Sequence, residues 1–182
     1  MIETEIDSVR VDLLRQRRVL LLKEIQGERH LPIWIGEFEA SAIMIEMEGT
    51  ATQRPLPYDL MATMLRELDA RVVRIEVNDL SRDIYYARIV IERQGSEFEL
   101  DARPSDAIAI ALRAQCTIFV DDAVMEKAGI VINDDDDDSD DGQTVEAVGR
   151  DDNETPVAEE GLTLFRDFIN TLDLDDPEKR TS

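Results

Sequence analysis

An α+β fold is what this sequence predicts: an antiparallel or mixed sheet of hairpins with three to four packed helices, followed by an acidic C-terminal tail expected to be disordered. Three observations carry that expectation. Apolar residues alternate in neighbouring segments separated by turn signals, as half-buried hairpins require. Helical periodicity appears in separate blocks between the hairpins, which argues against a parallel doubly wound sheet. Composition then shifts at Asn133, beyond which lie 18 of the 42 acidic residues but only four of the 20 basic ones.

The elements follow in order. Val9, Val11 and Leu13 alternate with Arg10 and Asp12 as in a half-buried strand. Gln16-Arg17-Arg18 reads as a turn, and Val19-Leu20-Leu21-Leu22 as a more buried return strand. Leu31-Pro32-Ile33-Trp34-Ile35 is a third strand, with Pro32 arguing for an edge or a strand start. A helix from Glu37 to Met47 places Ala40, Ile43, Met44 and Met47 on one face, and Gly49 stops it. A second helix, from Pro57 to about Asp69, carries the stripe Leu60, Met61, Met64, Leu65 and Leu68, expected in the core. Val73, Ile75 and Val77 mark a strand, Asn78 to Asp83 a turn, and Tyr85, Ala87, Ile89 and Ile91 the return strand. Gln94-Gly95 turns again into a strand with Phe98 and Leu100. A helix from Pro104, a short strand over 117–120 and a last helix over 121–128 complete a domain spanning 1–132, large enough to fold alone.

The run Asp134 to Asp141 has like charges and nothing apolar to bury, so 133–158 reads as a disordered linker. It lacks the glycine and spacing of an EF-hand loop and is expected to serve solubility, with nucleic-acid mimicry the competing reading. Residues 159–182 hold the amphipathic stripe Leu162, Phe165, Phe168, Ile169 and Leu172. A helix that short is marginal alone, so it should dock in cis or bind a protein partner.

Net charge is −22, of which residues 1–132 hold −8. That argues against tight nucleic-acid binding by the whole surface, because phosphate contacts need local Lys and Arg. Arg15, Arg17 and Arg18 form one local basic cluster, read as a solvated face or a patch. The single cysteine, Cys116, cannot form an internal disulfide and is expected to be a buried structural thiol. His30 is the one histidine, expected on an exposed loop, so no Cys/His metal pattern exists. No signal-peptide region and no apolar run near 20 residues occur, so the chain is expected to be cytoplasmic and off the membrane.

The densest chemistry lies at two helix starts. Arg103-Pro104-Ser105-Asp106 and Arg54-Pro55-Leu56-Pro57-Tyr58-Asp59 each set a proline two residues before an aspartate, with an arginine upstream. Proline suits the first helical position, and a carboxylate in the first turn meets exposed N–H groups. Such a cluster is either a pair of well-made caps with ion pairs or a place to hold phosphate.

These blocks resemble the bifunctional nuclease domain family. The likeness spans about Glu3 to Ile130 and rests on Leu31-Pro32-Ile33-Trp34-Ile35-Gly36, Glu39-Ala40, Arg54-Pro55 with Asp59-Leu60, Asp83-Ile84-Tyr85-Tyr86-Ala87, and Leu100 to Ile108. It implies an α+β fold and hydrolysis of phosphodiester bonds in RNA and DNA. One departure stands out: Pro57 and Tyr58 occupy places where the family usually carries threonine-histidine. A tyrosine, with a pKa near 10, is a poor base at neutral pH.

Phosphodiester cleavage needs an activated water and charge neutralisation at phosphate, which carboxylates with Mg²⁺ or Mn²⁺, or arginines, can supply. The candidate catalytic residues are Asp59, Asp101, Asp106 and Glu39, with Glu37 a further acid. Arg54, Arg103 and Ser105 are candidates for substrate binding, and Asp101 and Asp106 for the metal. The competing expectation is a non-catalytic binding or regulatory module that works through protein partners. Exposed strand edges also make a homodimer an expectation.

Overall fold

A computed structural model describes residues 1–12 and 17–132. The expected linker and C-terminal helix, and Leu13 and Arg15, lie outside the described residues.

Among the described residues eight strands and four helices alternate in groups: β1 (Ile2–Asp12), β2 (Arg17–Glu24), β3 (Arg29–Ile35), α1 (Glu37–Met47), α2 (Pro57–Glu67), β4 (Ala70–Ser81), β5 (Ile84–Arg93), β6 (Ser96–Ala102), α3 (Pro104–Ala114), β7 (Thr117–Val120), α4 (Asp122–Ala128) and β8 (Ile130–Val131). They form one mixed sheet in the order β6-β5-β4-β7-β1-β2-β3-β8, in which only β4 and β7 run parallel. The fold is therefore α+β, as expected from hairpins interrupted by helices.

The alternation along β2 explains the layering. Leu20 and Leu22 join Leu31, Ile33, Ile43, Ile75, Ile108 and Met125 in one buried cluster beneath the helices. α3 lies across β4, β5 and β7, flanked by α1 and α2, while α4 touches both β3 and β4. Three strands separate β3 from β4 in the sheet, so one short helix can reach both only if the sheet curls toward it. Bulges in β1 and at two places in β4 supply extra twist.

Several expectations need correction. Arg17 and Arg18 are not turn residues but open β2, paired with Asp12 and Val11. Asn78 to Ser81 continue β4, and the turn shrinks to Arg82-Asp83, both at positive φ. That left-handed pair matches the twist of a two-residue hairpin, which Gln94-Gly95 repeats. His30 is not an exposed loop residue: it is buried in β3, its Nδ1 lies 3.1 Å from the Glu28 carbonyl, and burial lowers its pKa. Pro32 sits where β3 has run past β8, whose pairing stops at Arg29 and His30, so no ladder bond is lost on that edge. Cys116 is half-buried and its thiol is pushed up to about 11 by burial.

The largest correction concerns α2. Its stripe was expected in the core, yet Leu60 and Met64 are each 55% exposed, Met61 and Leu68 are exposed too, and only Leu65 packs on the cluster. Met47 of α1 is likewise exposed. Periodicity identifies which face is apolar, not whether anything covers it; α2 lies beside α3 at the margin of the helical layer.

α4 owes its start to Asp121, whose carboxylate accepts the Ala123 N–H at 2.9 Å. Met125, fully buried, is positioned by that cap. Asp121→Ala should cost about 1 kcal/mol, lowering the melting temperature by roughly 3 °C in a calorimetric scan.

Candidate functional site

The three helices α1, α2 and α3 bring their starts to one polar cluster. α3 begins with Pro104 at its first position, and no side chain caps it. Asp106 is thereby left to reach outward. Its Oδ2 accepts from Arg103 Nε at 2.7 Å, and its Oδ1 accepts from Arg103 Nη2 at 3.0 Å and from the Tyr58 hydroxyl of α2 at 2.7 Å. Arg103 also donates from Nη2 to Glu39 Oε1 of α1 at 2.8 Å. The guanidinium thus ties α1 to α3, and the Tyr58 hydroxyl brings in α2 through Asp106.

Exposure decides what this group can do. The Arg103 side chain is 67% exposed, while Glu39 and Asp106 are 15% and 27% exposed. The acids form the floor and the guanidinium faces solvent. The two carboxylates raise the Arg103 pKa, so its charge is secure. The Tyr58 pKa is raised, first by burial and then by the hydrogen bond it donates to Asp106. Tyr58 is therefore a donor at neutral pH and not a base.

A second cluster backs the first. Arg113, on the last turn of α3, donates from Nε to Asp59 Oδ1 and from Nη1 to the Ala109 carbonyl at 2.9 Å. Its Nη2 reaches the Ala42 carbonyl of α1 at 3.2 Å. Its side chain is 5% exposed. The Asp59 Oδ2 accepts the Leu56 N–H at 2.7 Å, which closes the start of α2. The hydrogen bond from Arg113 holds the Asp59 carboxyl below the usual carboxylate range, with the Leu56 N–H assisting against burial. Arg113 lies over the Tyr58 ring, 5.5 Å from its centroid, and so joins the two clusters.

The structure thus brings together Glu39, Arg103 and Asp106 from the expected set and places Asp59 behind them as a structural partner of Arg113. It does not bring in the others. Asp101 is exposed on β6, across from Arg88, two residues before Arg103. Arg54 is exposed on the loop before α2 and does not pair with Asp59 as the upstream arginine suggested. Ser105 is only 7% exposed, turned inward at the start of α3, so it is not presented to a substrate. Glu37 pairs with Arg18 at 3.3 Å instead of joining Arg103. Sequence reasoning missed Arg113. The available signal was its spacing: seven residues after Asp106, two helical turns on the same face.

The expected divalent ion does not fit this arrangement. Both oxygens of Asp106 accept hydrogen bonds, both oxygens of Asp59 do too, and Asp101 stands apart. Among the described residues no group of three or more His, Cys, Asp or Glu side chains converges to hold a metal ion. The carboxylates are organised around a guanidinium. Among those residues, also, no helix is long and apolar enough to cross a membrane.

Residues 20–133 match the bifunctional nuclease domain. The chain belongs to the bifunctional nuclease domain family. An uncharacterized protein of Mycobacterium tuberculosis, Rv1829, is 35% identical over 174 residues, which cover 96% of both chains. Bifunctional nuclease 1 of Oryza sativa subsp. indica is 26% identical over 117 residues, 63% of this chain and 35% of the rice protein. Bifunctional nuclease 1 of Arabidopsis thaliana is 30% identical over 93 residues, half of this chain and 29% of the plant protein. The sequence blocks that resembled this family include Glu39, Arg103 and Asp106, so the polar cluster is built from the stretches that carry the family likeness.

Proposed function

We propose that this member of the family hydrolyses phosphodiester bonds in RNA or DNA, with Arg103 as the phosphate-binding group and Glu39 and Asp106 as its flanking carboxylates. The observation that carries this reading is the solvent-facing guanidinium held on a floor of two less exposed acids. An incoming phosphodiester competes for Arg103 with carboxylates already hydrogen-bonded to it. Bidentate guanidinium–phosphate contact neutralises charge as the pentavalent centre forms. A carboxylate released from Arg103 then stands beside the phosphate, where it accepts a proton from the attacking water; the P–O bond to the leaving oxygen breaks, and that oxygen takes up a proton from solvent. Tyr58 keeps its proton and orients Asp106.

Purified full-length protein should be incubated with labelled single-stranded RNA and DNA in Mg²⁺, Mn²⁺ and EDTA, beside Asp106→Asn. Cleavage by the wild type, reduced at least tenfold in Asp106→Asn, is expected. A carboxylate floor built for a guanidinium predicts activity that survives EDTA. Strict dependence on a divalent ion would contradict that arrangement. Equal cleavage by both proteins would remove Asp106 from the mechanism.

One observation favours a second reading, a non-catalytic binding module: Tyr58, a protonated donor, stands where the family usually offers a histidine. That reading predicts binding of oligonucleotide or protein without turnover under any of these conditions.

A further inference from the structure

A cavity of ≈360 Å³ opens at the rim of the sheet, lined by Arg17, Arg18, Trp34, Ile35, Gly36 and Glu37. Successive residues of a strand point to opposite faces, so Arg17 and Arg18 reach this rim from two sides. Arg18, paired in register with Ile35, extends to Glu37 on the helical side. Arg17 lies over the Trp34 ring, 5.7 Å from its centroid, on the other. Among the described lining residues the single carboxylate is Glu37, 66% exposed and 3.3 Å from Arg18, whose side chain is 21% exposed, so water screens the pair from the carboxylate side. The described lining therefore holds one more positive than negative side chain, in a chain whose net charge is −22.

Its position links it to Arg103. A Cβ added at Gly36 would lie 2.2 Å from Glu39 Oε2, so that carboxylate rests against the glycine in the cavity wall. The other oxygen of Glu39 accepts from Arg103. Glu39 stands between the cavity and the Arg103 guanidinium. We infer that this cavity binds a backbone phosphate of single-stranded nucleic acid, next along the strand from the phosphate taken by Arg103. This rests on the reading of Arg103 as the phosphate-binding group. The cavity would fix the strand and its register, and Arg103 would act on the neighbouring linkage. A basic pair at the sheet rim explains how an acidic protein holds a polyanion without a basic surface.

Trp34 is the only tryptophan in the chain, so its fluorescence reports on the cavity directly. The full chain should be titrated with octathymidylate and with its uncharged methylphosphonate counterpart. The expected result is a change in Trp34 emission with the charged strand alone, because phosphate draws Arg17 away from the indole. The double variant Arg17→Gln/Arg18→Gln should lose that change, bind at least tenfold more weakly and show a salt dependence shallower by about one phosphate contact. Arg17→Lys/Arg18→Lys keeps the charge and should retain most of the affinity. In cleavage assays the Gln double variant should raise KM with kcat retained. Binding by the Gln double variant equal to wild type, or an equal response to the uncharged strand, would overturn the inference even if Arg103-dependent cleavage is found. An emission change lost in the Gln double variant would uphold it even if no cleavage is found.

Discussion

Asp59→Ala will destabilise the domain by about 3 kcal/mol, and Arg113→Met will cost less. Removing the carboxylate takes the nearest counter-charge from a guanidinium whose side chain is 5% exposed, leaving it the Ala109 and Ala42 carbonyls and the more distant Glu46 at 3.8 Å, and breaking a buried pair by removing one partner costs about 3 kcal/mol. It also strips the Leu56 N–H of its acceptor. Removing the arginine instead leaves Asp59, 31% exposed, which water can reach, and methionine refills the apolar part of the space. Urea denaturation at pH 7 measures both. The pH dependence has a fixed sign. The folded-state pKa of Asp59 is depressed, so its contribution is present above the unfolded carboxyl value, near pH 4, and is lost as pH falls through the lower folded value. The gap between wild type and Asp59→Ala should therefore narrow as the pH is taken down through the acid range. A gap that widens in acid would contradict the pairing.

Arg103→Ala should lower the cleavage rate by about 10² to 10³, the usual loss when a charge-stabilising donor is removed. Arg103→Lys should recover little of it. A lysine ammonium cannot span Asp106 and Glu39 and still present a planar fork to phosphate. Because the Arg103 side chain is largely exposed, both variants should keep their stability to within about 1 kcal/mol of wild type. Initial rates on single-stranded RNA and DNA, with urea denaturation in parallel, separate the two effects. A comparable loss of stability and activity would make Arg103 a strut between helices and nothing more.

The strands and helix starts were legible because they depend on local rules. Alternation located β5 and β6, and proline at the first helical position located α2 and α3. The pairing of Arg103 with Asp106 was also local, three residues apart on one turn. The remainder of the site was not local. Asp59 and Arg113 stand 54 residues apart in sequence, and Glu39 and Arg103 stand 64 apart. Only the packing of α1 and α2 against α3 brings them together. Arg54 was the nearest arginine to Asp59 in sequence, and it misled for that reason. Ser105 failed differently: a residue beside two site residues on a helix still faces another way. The exposed stripe of α2 was misjudged because a short apolar period fits a buried or an uncovered face equally well.

The central claim is that Arg103, on its floor of Glu39 and Asp106, is where the phosphodiester binds. A crystal structure of the full chain with a slowly cleaved phosphorothioate dinucleotide tests it most directly. The account predicts the linkage phosphorus within hydrogen-bonding reach of the Arg103 guanidinium, with at least one of the two carboxylates released toward it. A dinucleotide bound elsewhere, with Arg103 still clasped by both acids, would contradict it.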